Sequence, residues 1–136
     1  MAAAIAHEVA HDLVFSELGF RQSRRMPVWK SEGYADYQAN IAPARSDPDN
    51  NLHRRVALWL DEDAWRAATA FIDRRHFGWQ LLIDYLYEVK YIDFADLIEP
   101  SLTEEAARTE MLAWFEAEVD RRSSIAGSKE LEPLEG

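Results

Sequence analysis

The sequence predicts an all-α fold. Apolar residues recur at helical spacing along most of the chain, alanine is dense in several stretches, and the helix breakers glycine and proline number only five each. The form expected is a compact domain of about five helices over residues 1–122, followed by a disordered acidic tail at 123–136.

Taken in order, residues 2–18 read as a first helix: Ile5, Val9 and Leu13 fall on one face, and Gly19 supplies a stop. A basic loop over 19–28 carries Arg21, Arg24, Arg25 and Pro27. The segment WKSEGYADYQANIA, 29–42, reads as a second helix despite Gly33. Glycine there costs about 1 kcal/mol relative to alanine, which points to a packing or functional reason for it. From Pro43 to Asn51 the chain is polar and turn-rich. LHRRVALWL, 52–60, fits a short helix or a strand, with helix preferred. Asp61 is placed to cap a helix over 62–75, with Trp65, Ala68 and Ile72 on one face, and a further helix over 76–89 buries Trp79, Leu82, Ile83 and Leu86. Ser101-Leu-Thr-Glu104 has capping-box spacing, with Thr103 as a rival cap, ahead of a helix over 103–122. Met111, Leu112, Phe115 and Val119 mark its inner face. The tryptophans at 59, 65, 79 and 114 are expected core anchors.

Composition narrows the possible functions. A chain of 136 residues, 48% hydrophobic and 12% aromatic, can build one core but is short for two. Its net charge of −10 repels a phosphate backbone, so nucleic-acid binding is not expected. No apolar run approaches the ~18 residues of a bilayer span. The opening MAAAIAHEVAH has neither the charged n-region nor the long apolar core of a secretory signal, so the cytoplasm is the default compartment. There is no cysteine, so any metal must be held by histidine and carboxylate. Oligomeric state is not readable from these features.

Of four histidines, two stand in one short motif, His7-Glu8-Val9-Ala10-His11. Four residues along a helix advance about 6 Å on one face, so both imidazoles can converge on one cation. Zinc takes imidazole nitrogen at about 2.0–2.1 Å and accepts three protein ligands with one position open to water. Glu8 lies beside the pair, where a carboxylate can take a proton from that water. A third ligand has to come from another element, and Glu32 on the second helix fits. Asp36, one turn later, can accept the outer N–H of a ligating histidine and fix its tautomer.

HEVAH followed by WKSEGYADY resembles the gluzincin peptidases, the thermolysin-like clan with a glutamate third ligand, and is most similar to its small bacterial and archaeal members. The likeness covers roughly residues 5–40. It implies a zinc site formed by His7, His11 and Glu32, Glu8 as general base, Asp36 behind a ligand, and a peptide or protein substrate. Relatives carry a small β-sheet upstream, so a zincin-like helical core without that sheet is expected. Asp12 departs from the pattern, which usually keeps that position uncharged. Such enzymes also need a donor for the oxyanion. His76 is the first candidate, with Tyr85, Tyr87 and Tyr91 as alternatives.

Other readings compete. A truncated or non-catalytic helical module could bind a metal or a partner protein without cleaving anything. Glu8-x-x-His11 with Asp73-x-x-His76 also matches part of a di-iron carboxylate site, although carboxylates from two more helices would be needed. His53, beside Arg54 and Arg55 in a polar stretch, reads as a solvated surface residue.

Overall fold

Seven helices and no strand form the described part of this computed structural model, which covers residues 4–12, 26–46, 51–68 and 73–130. The predicted all-α class holds. Residues 4–12 form α1. It is followed by α2 (Val28–Ser46), α3 (Leu52–Leu60), α4 (Glu62–Ala68), α5 (Arg74–Glu88), α6 (Phe94–Leu97) and α7 (Glu104–Glu130). Residues 13–25, including Gly19 and the arginines of the expected basic loop, lie outside the described residues.

Most helix starts have an identifiable local cause. Asn51 accepts from the Arg54 amide, and Asp61 accepts from that of Ala64. Asp73 accepts from the amides of Arg75 and His76, and Asp93 forms a reciprocal capping box with Asp96. Each satisfies amides that the first helical turn leaves without partners. At α7 the rival cap wins: Thr103 Oγ1 accepts from the Ala106 amide at 3.2 Å.

The core centres on α5, which packs against α2, α3 and α7. Leu81, Leu82, Ile83 and Leu86 are almost fully buried, and Val56, Leu97, Ala107 and Met111 close over them from the neighbouring helices. Trp79 and the run from Leu81 to Leu86 are buried on several faces, as a helix with neighbours on several sides requires. Gly33 allows the closest approach. A Cβ built there would lie 2.7 Å from the Trp79 carbonyl oxygen and 2.8 Å from Ile83 Cγ1, so α2 and α5 meet backbone against backbone. Of the two reasons the sequence left open for this glycine, packing or function, the close approach supplies the packing one.

Several boundaries differ from the expected ones. The loop expected from Pro43 starts later, because α2 continues to Ser46. One proline removes a single intrahelical hydrogen bond, and Ala42 and Ala44 beside it favour helix. The helix expected over 62–75 does not run through: Asp73 is the N-cap of a new helix, so Arg74 and Arg75 belong to α5. α7 extends to Glu130, so residues 123–130 of the expected disordered tail are helical; 131–136 lie outside the described residues. The segment 52–60 is helix, and α6 is a short element that the sequence did not signal.

His53 requires a correction as well. Its ring stacks on Phe115 at 4.6 Å between centroids, and its Nε2 is buried with no hydrogen-bond partner among the described residues. The aromatic face of α7 covers this residue, which sequence reasoning left in solvent. Burial lowers its pKa, Arg122 lowers it further, and Glu118 opposes them.

Candidate metal centre

α1 and α2 supply the site. On α1, His7 and His11 stand one turn apart, with ring centroids 4.7 Å from each other and planes at 71°. On α2, the Pro27 carbonyl accepts from the amides of Lys30 and Ser31 and starts the helix just before Glu32. One turn further on, Asp36 shares a face with Glu32, and the pair faces the two imidazoles.

The donor atoms lie close together. His7 Nε2 is 3.0 Å from His11 Nε2 and 3.2 Å from Glu32 Oε2, while His11 Nε2 is 3.3 Å from Glu32 Oε1. One ligand atom from each of His7, His11 and Glu32 falls within 4.8 Å of the others, a group that can hold a metal ion. The side chains are half-buried, open enough for an ion to enter.

Behind the ligands, His7 Nδ1 lies 2.7 Å from Asp36 Oδ1, and the Ser31 hydroxyl lies 3.4 Å from His11 Nδ1. When His7 Nδ1 donates to Asp36, its Nε2 presents a lone pair to Glu32 and His11. An N–H on His11 serves only one edge of such a triangle at a time. A metal ion serves all three.

Lys30 meets a fate the sequence did not suggest. It is 1% exposed, and its Nζ donates to the Glu99 carbonyl oxygen at 2.8 Å, holding the N-terminal end of α2 to the α6–α7 turn. Burial lowers its pKa, and the Glu99 charge partly offsets this. Trp29 is buried beside it, which fixes the start of the helix that carries Glu32.

No family model, curated protein or solved structure matches this chain.

The other candidates are not members of this group. Glu8 is exposed on α1. The His76 ring packs on Trp79 at 4.6 Å, at the first turn of α5. Tyr85 is buried beside Trp114, and Tyr87 stacks on Tyr37 at 5.1 Å. Burial raises the pKa of both phenols. Tyr91 is 83% exposed, at a positive φ of 56°. None of these five is among the grouped ligands. Ser31 is the participant that sequence reasoning missed; its position immediately before the candidate glutamate was the available signal.

Proposed function

We propose that this chain is a zinc-dependent metallopeptidase of gluzincin type. The observation carrying the proposal is the convergence of His7, His11 and Glu32, with Asp36 bound to the outer nitrogen of His7. Tetrahedral zinc with ligand bonds of about 2.0–2.1 Å requires donor atoms about 3.3 Å apart. The separations of 3.0, 3.2 and 3.3 Å between these side chains fit that size. Two nitrogens, one carboxylate and no thiolate also suit zinc's borderline preference.

When bound, zinc lowers the pKa of water to about 7 and so supplies a nucleophile at neutral pH. The chain's residues do the rest. Asp36 accepts from His7 Nδ1 and keeps Nε2 turned inward. Glu8, next to His7 on the exposed side of α1, takes the proton from water and returns it to the leaving amine.

The test replaces Glu8 alone. Glu8→Gln should keep about one zinc per chain and lose peptide hydrolysis. Undiminished cleavage by this variant would refute the assigned role.

A second reading has an observation in its favour. The described residues contain no strand, so nothing among them offers an edge for an extended peptide. A metal-binding helical module without hydrolysis fits that feature. Zinc-loaded protein that cleaves no peptide in a broad library would favour it.

A further inference from the structure

Resting on the metal reading above, we infer that the ion also fastens α1 to the rest of the fold, so that metal occupancy decides whether this helix is docked.

Within the described residues 4–12 of α1, Ala10 alone is buried. Its large apolar side chains face solvent instead, Ile5 at 62% exposure and Val9 at 49%. A single buried methyl group is a weak anchor. Among the described residues, His7 and His11 make polar contacts from α1 to Ser31, Glu32 and Asp36 of α2. With His7 Nδ1 donating to Asp36, His7 Nε2 sets a lone pair against Glu32 Oε2 at 3.2 Å, an arrangement that a bound cation favours and its removal disfavours. By contrast α2 is locked to α5 through Gly33 and buried Tyr37, and it stays in place without α1.

A ligand that binds only the docked state suppresses opening in proportion to its concentration over Kd. At free zinc one hundred times Kd, undocking of α1 becomes about 100-fold rarer. Because Glu8 rides on α1, loss of the ion removes the proposed base along with His7 and His11.

The experiment is amide hydrogen exchange on the full chain, with zinc and after chelation. Zinc should slow exchange at residues 8–12 by about 100-fold while leaving Leu82 and Ile83 in α5 unchanged. In protein shown to carry one zinc, equal exchange at 8–12 with and without the ion overturns this inference alone. Protein that takes up no zinc overturns the metal reading itself. Glu32→Gln in the same zinc should exchange faster than wild type at 8–12, and wild-type protection there also counts against the fastening role.

Discussion

The carboxylate of Asp36 lies 2.7 Å from Nδ1 of His7, joining two residues 29 positions apart on different helices. Such a bond fixes the imidazole tautomer and makes the opposite nitrogen a better ligand. Asp36→Ala should therefore weaken zinc binding by about 10–100-fold without abolishing it. Competition against a chelator of known affinity reads this directly. Unchanged affinity would mean that Asp36 does not orient His7.

Gly33 is a second pressure point. A methyl there meets the Trp79 backbone, which cannot swing aside as a side chain would. Gly33→Ala gains about 1 kcal/mol of helix propensity but overpacks the α2–α5 contact by about 1–3 kcal/mol. A net loss of roughly 1 kcal/mol is expected in urea denaturation. A gain in stability would show that the two helices can part at little cost.

Asp84 gives a pH dependence. Burial pushes its carboxyl up from 3.8 to about 6, although Arg55 pairs with it and pulls the other way; Glu88 adds to the rise. Between those values the folded protein holds a proton that the unfolded chain has released. The stabilising contribution is complete below about pH 4 and is lost as the pH rises through about 6, by roughly 3 kcal/mol in all. Asp84→Asn cannot titrate, so the stability of wild type relative to this variant should fall by most of that amount between pH 4 and 7. A constant difference across the range would contradict the shift.

Asp73 caps α5 by accepting from two amides, at 2.8 Å and 3.3 Å. Asp73→Ala should cost about 1 kcal/mol, the usual price of a lost N-cap. Thermal unfolding measures it. A silent substitution would mean that the helix extends backward past residue 73.

How far the sequence could be read depended on whether a feature was local. The HEVAH spacing is one helical turn, so the alignment of His7 with His11 follows from geometry alone. Glu32 and Asp36 share a second turn in the same way. Ser31 was hidden because its contact with His11 depends on how α1 sits against α2, which no periodicity encodes. Asp73 was missed because Trp65, Ala68 and Ile72 keep a helical rhythm up to it, and a capping carboxylate resembles any other exposed aspartate. His53 looked solvated beside Arg54 and Arg55. Its burial comes from Phe115 on α7, a partner remote in sequence.

The most direct measurement is zinc titration of metal-stripped protein, comparing wild type with His11→Ala and Glu32→Ala. One tight site per chain is expected in wild type, weakened at least 100-fold by either substitution. Equal stoichiometry and affinity in all three proteins would contradict a shared ion between α1 and α2.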